Sequence, residues 1–163
     1  MDIKKIQEKW EHGQLIGVDL IASKNNTARE INIYSEESDG FKNTFNKEYG
    51  ISYGSVISLS SFIKKRDDLW SEIQINNKVL LPDGDVLFRG EGEMGSDGFI
   101  VRADKYNKLK WFMYSTTSNP FLDVIRLNGR LHIKSTLGFY LDFDIADNDI
   151  FLIDIISIKP NNQ

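Results

Sequence analysis

The chain has 163 residues, no cysteine and a formal net charge of −4. A single domain of this length buries roughly 70% of the surface its unfolded form exposes, so it needs neither disulfides nor metals to fold. Lack of thiols excludes disulfides, thiolate metal sites, iron–sulfur clusters and Cys nucleophiles, and the acidic balance argues against free nucleic acid as a ligand, because phosphate contacts need a basic footprint.

Residues 2–12 predict a short helix, with Ile3, Ile6 and Trp10 at helical spacing and Gly13 as its stop. β-signals dominate from there. Residues 14–22 (QLIGVDLIA) and 30–34 (EINIY) read as strands, and residues 35–50 as a polar connection with one helical turn around Phe41 and Phe45. Residues 51–63 suit a strand with Ser on its exposed face, followed by a charged corner at 64–68. Residues 71–81 alternate: Ile73, Ile75, Val79 and Leu81 fall on one parity, Glu72, Gln74, Asn76 and Lys78 on the other. A period of two with one wet face marks an antiparallel sheet.

Pro82-Asp83-Gly84-Asp85 turns the chain, and Val86 to Glu91 begin another strand. The run GEGEMGSDG at 90–98 predicts a flexible or bulged connection between strands. Residues 99–103 and 109–116 are two further strands, and 117–120 a turn, since Asn-Pro cannot continue a central strand. Asn128-Gly129 lies between two alternating apolar runs and signals a hairpin, because a type I′ turn needs positive φ at both positions. Phe139, Leu141, Phe143 and Ile145 then point one way, Tyr140, Asp142 and Asp144 the other. Residues 150–158 (IFLIDIISI) are apolar on both faces and read as a central, doubly covered strand. The fold class is mainly β: one domain, an antiparallel β-sandwich or a curled, partly closed sheet of about ten strands, with a short N-terminal helix.

Catalytic signals are thin. His12 and His132 form no HxH, HExxH or HxxxH spacing, and no GxSxG elbow is present. His132 reads as an ordinary half-exposed strand residue. The glycine run has no Gly-Lys-Ser/Thr and no following helix to hold a phosphate. These readings favour a non-enzymatic protein without metal or cofactor. The N-terminal residues lack a signal-peptide core, and the longest apolar run is far below the ~18 residues of a membrane span, which gives a cytoplasmic expectation with no membrane partner.

Carboxylates gather in two groups. Asp83, Asp85, Glu91, Glu93 and Asp97 form one; Asp142, Asp144, Asp147, Asp149 and Asp154 form the other. The second contains DxDxxDxD but lacks the central Gly and terminal Glu of an EF-hand loop. Asp142 and Asp144 share a strand face. Such a pair can serve glycoside hydrolysis, bind a cation, recognise a basic protein, or keep a sheet face soluble and deter edge pairing. Trp111, in LKWFMY, reads as core, and Trp70 as partly exposed.

The order of features over residues 86–146 carries a resemblance. GEGEMGSDGFI, then LKWFMYSTTSNPF, then the hairpin, then GFYLDFDI resembles immunity proteins encoded beside bacterial polymorphic toxins, including those of contact-dependent growth inhibition systems. The resemblance implies a protein that binds the C-terminal domain of a cognate toxin and occludes its active site. Such toxins are often nucleases with basic substrate faces, which an acidic inhibitor meets with electrostatic steering. The candidate partner-binding residues are Glu91, Glu93, Asp97, Asp142, Asp144, Asp147 and Asp149. Two alternatives stand beside this: a non-enzymatic ligand- or carbohydrate-binding β-sandwich, and a structural or adaptor subunit.

Overall fold

The structure is a computed structural model, and it describes residues 2–37, 47–66, 68–146 and 153–156. The helical spacing near the N-terminus produces α1 (Asp2–Glu11), which buries Ile6 and Trp10. Gly13 closes it at φ +77, a left-handed conformation that glycine adopts without a Cβ clash.

The chain then builds a seven-stranded antiparallel sheet. Its strands are β2 (Leu20–Ser23), β3 (Thr27–Glu37), β4 (Lys47–Ser58), β6 (Gln74–Leu80), β7 (Val86–Glu91), β8 (Gly98–Ala103) and β9 (Leu109–Ser115). They lie in the order β4-β3-β2-β9-β8-β7-β6. A second sheet of four strands follows, β10 (Phe121–Leu127), β11 (Arg130–Ser135), β12 (Tyr140–Asp144) and β13 (Asp154–Ile156), in sequence order. β1 (Gln14–Ile16) and β5 (Trp70–Glu72) pair as a small ribbon, and α2 (Leu59–Lys64) follows β4.

Three layers result. Strands of the large sheet turn Leu20, Ala22, Phe99, Val101, Phe112 and Tyr114 to one face, where α1, α2 and the β1–β5 ribbon cover them. They turn Ile21, Ile100, Trp111 and Met113 to the other, where Leu131, Ile133, Leu141 and Phe143 of the four-stranded sheet interdigitate. Alternation along the strands thus feeds two cores at once. Tyr53 on β4 ties the far side: its hydroxyl donates to the Ile153 carbonyl and accepts from the Ile153 N–H, both at 2.6 Å.

The mainly β class with its N-terminal helix is the observed one, and none of the sheets closes into a barrel. The hairpin at Asn128-Gly129 is present with φ of +53 and +79. Other expectations need correction. Residues 14–22 divide into β1 and β2: Gly17 still donates its N–H to the Leu69 carbonyl, beside the β1–β5 ladder, and the chain then bends at Val18-Asp19 to enter the large sheet. Residues 51–63 are not one strand: 59–64 coil into α2, capped by the Ser58 hydroxyl, with Leu59, Phe62 and Ile63 buried on one face. Residues 71–81 break at Ile73, and a bulge between Ile75 and Asn77 leaves Ile75 46% exposed. That bulge presses on Gly90, where a Cβ would collide with the Gln74 carbonyl. β13 ends the order of its sheet, so the described part of 150–158 is not a central strand. The flanks of the expected polar connection belong to β3 and β4, while Phe41 and Phe45 fall outside the described residues.

Candidate functional site

The first carboxylate group divides by burial. β7 ends at Glu91, and the loop 92–97 returns the chain to β8. Asp97 at the end of this loop is only 4% exposed and accepts a hydrogen bond from the Tyr114 hydroxyl, so it anchors the loop from below and is not part of the acidic surface. Ser71 Oγ stands 2.9 Å from the same phenolic oxygen and accepts the Glu93 N–H at 3.4 Å. Gly92 passes so close to the phenol that a Cβ there would overlap it. Burial, reinforced by the bond to Asp97, pushes the Tyr114 phenol well above its ordinary value.

Glu91 and Glu93 do reach the surface, and Glu72 of β5 joins them. Glu93 accepts the Glu72 N–H at 3.0 Å, Glu91 accepts the Asn76 amide at 3.2 Å, and Glu72 accepts the Gln14 amide at 3.0 Å. Among the described residues, none of the three has a cation at ion-pair distance. Met94, on the same loop, is 66% exposed. Glu72 was legible only as a residue on the wet parity of its strand. Replacing Tyr114 with Phe leaves Asp97 buried without its donor; we expect a loss of about 1–3 kcal/mol in urea unfolding, with faster amide exchange confined to 92–97.

The second group sits on the outer face of the four-stranded sheet. Arg130 pairs in register with Asp144, His132 with Asp142, and Asp142 with Asp154. Arg130 Nε lies 2.8 Å from Asp142 Oδ1, and His132 Nδ1 lies 3.4 Å from the same oxygen. The bond to Asp142 raises the Arg130 guanidinium; burial opposes this, and Asp144 and Asp154 add to it. His132 is 8% exposed, which corrects the half-exposed expectation. Asp144 is exposed and accepts the Ala146 N–H at 2.9 Å. Asp147 and Asp149 lie outside the described residues.

Asp83 and Asp85 are occupied by a buried arginine and a half-buried lysine. Arg102 donates from Nε to Asp85 at 2.8 Å and from Nη2 to Asp83 at 2.7 Å, and Lys110 Nζ stands 2.6 Å from Asp85. Burial pushes the Asp83 carboxyl up, but the Asp85 N–H and Arg102 outweigh it and hold it below the ordinary aspartate value. Arg102 Nη1 also donates to the Ile145 carbonyl at 2.5 Å. The Asp144 end of β12 therefore lies by the start of β7, while Glu91 lies at its other end, about 17 Å away at ~3.3 Å per strand residue. The structure does not gather the two acidic groups into one cluster.

Among the described residues no three His, Asp or Glu groups converge to hold a metal ion. A cleft of about 500 Å³ opens beside the end of α1, lined by Trp10, Ile75, Phe88, Lys78 and Asp104. Trp10 lies edge-on to Phe88 and bonds Asn107, so its ring is packed into the wall and offers no open stacking platform. Comparison with family models, curated proteins and solved structures matches this chain to none of them.

Proposed function

We propose that this chain is an immunity protein that binds the C-terminal domain of a cognate toxin and covers its active site with an acidic surface. The observation that supports this reading is a set of surface carboxylates that have no cation at ion-pair distance among the described residues: Glu72, Glu91 and Glu93, with exposed Met94 on the same loop. Their loop is fastened from below by Asp97, Tyr114 and Ser71. A rigid acidic rim beside an apolar residue favours fast, steered association with a basic face and spends little ordering entropy on contact.

The test is co-expression. The C-terminal fragment of the protein encoded immediately upstream is expressed alone and with this chain, and surviving cells are counted. Rescue is expected from the wild type. The E91Q/E93Q variant is expected to associate about tenfold more slowly at low salt, with a flatter salt dependence. A harmless fragment, or one that kills in the presence of the chain, overturns the proposal.

A further inference from the structure

We infer that the outer face of the four-stranded sheet, around Asp142, is the seat for an arginine side chain of a basic protein partner. This rests on the proposed function and adds to it a second contact surface, apart from the Glu91 rim, and one chemical group.

The charges on this face do not balance. Asp142, Asp144 and Asp154, three carboxylates, share it with Arg130 and with Lys134, which pairs with Tyr140 further along β11. Arg130 is committed to Asp142. Asp144 and Asp154 are exposed, and neither has a cation at ion-pair distance among the described residues.

A second, independent observation lies beneath them. His132 Nδ1 is shut off from solvent with no hydrogen-bond partner. It stands 3.4 Å from Asp142 Oδ1, outside hydrogen-bond geometry, while Arg130 Nε donates to that same oxygen at 2.8 Å. Buried polar groups are nearly always satisfied, so an orphaned imidazole nitrogen under a carboxylate marks a network that is incomplete in the free protein.

The spacing selects the ligand. Directly paired strand residues stand about 5 Å apart and next-but-one neighbours about 7 Å. A metal ion needs its oxygens within about 2.6 Å of a common centre, and the described residues offer no such convergence. A guanidinium is wider: its five N–H donors in a planar fork reach carboxylates at these separations. Ile125 and Leu127, cross-strand from His132 and Arg130, are half-buried on the same face and can hold the aliphatic stem. When a second guanidinium draws on Asp142, the carboxylate turns and its distance to Nδ1 changes, so His132 reports occupancy.

The sequence holds two histidines, and His12, at the far end of α1 with Nδ1 against the Glu8 carbonyl, serves as the internal control. The experiment follows both imidazole resonances by NMR in the full chain during titration with a tetra-arginine peptide, a tetra-lysine peptide and magnesium chloride. We expect a saturable shift of His132 with tetra-arginine, none at His12, weaker binding of tetra-lysine, and at least tenfold weaker tetra-arginine binding in D144N/D154N. Equal shifts at both histidines, unchanged affinity in D144N/D154N, or saturation by magnesium alone overturns the inference. The titration needs no toxin, so it stands or falls separately from the rescue assay. If the wild type rescues and D144N/D154N rescues with unchanged affinity for the fragment, the seat is wrong and the function stands.

Discussion

Asp85→Ala is expected to destabilise the fold by about 3–5 kcal/mol, the range for removing one partner of a buried ion pair. Arg102 is 1% exposed and sits opposite Leu87 and Trp111 in its two ladders, at the floor of the core between the sheets. Asp85 supplies its buried counter-charge and also holds Lys110. Without it, Arg102 keeps Asp83, which is 46% exposed and screened by solvent, and the Ile145 carbonyl. A fall of roughly 10 °C in Tm follows at 2–4 °C per kcal/mol for a domain of this size. The informative control is the double variant Asp85→Leu with Arg102→Met. It removes both charges and is expected to unfold close to the wild type or above it, because the desolvation penalty of the pair goes with it. A double variant as weak as Asp85→Ala would show that packing at this point matters more than charge.

Trp111→Ala is the second large effect, expected at about 3–5 kcal/mol by urea unfolding, the usual cost of emptying a large aromatic site. Trp111 is 1% exposed, packed between the sheets and edge-on to Phe143 at 5.5 Å between centroids and 86° between planes. Trp111→Phe separates volume from polarity. The indole Nε1 is buried with no acceptor, and removing such a donor recovers about 1–3 kcal/mol of desolvation. That gain offsets most of the lost volume, so the Phe variant is expected within about 1 kcal/mol of the wild type. A Phe variant as weak as the Ala variant would mean that the indole shape itself is required.

Where alternation and turn chemistry agreed, the fold was legible in the residues. Phe139, Leu141 and Phe143 are fully buried as their parity required, and Asn128-Gly129 turns as its φ demands. The misreadings have local causes. Leu59, Phe62 and Ile63 stand at helical spacing with a serine cap, but the β-branched run before them masked the change of period. Ile75 sits on the apolar parity of 71–81, yet its strand is the sheet edge and a bulge follows it, so pattern overstated burial there. Asp97 looked like any loop carboxylate; only the approach of Tyr114, seventeen residues on, explains why it is inside. The acidic residues of the candidate surface were visible as a composition. Which of them lack cations depends on strands paired across the chain, and no local pattern encodes that.

The order of the large sheet also governs how the chain reaches it. Every ladder in that sheet but one joins strands consecutive in sequence; the exception is β2 against β9, where Leu20 meets Tyr114 and Ser23 meets Trp111, roughly ninety residues away. Two meanders can close quickly from local contacts, but the seam must wait for a long loop to close, which places folding in the slow, millisecond-to-second class of β-proteins. On the ribosome the wait is longer still. β2, buried at all four positions in the finished fold, keeps one edge open until residue 114 has been made, so the nascent chain carries an apolar, unpaired strand edge across the roughly ninety residues that separate it from β9.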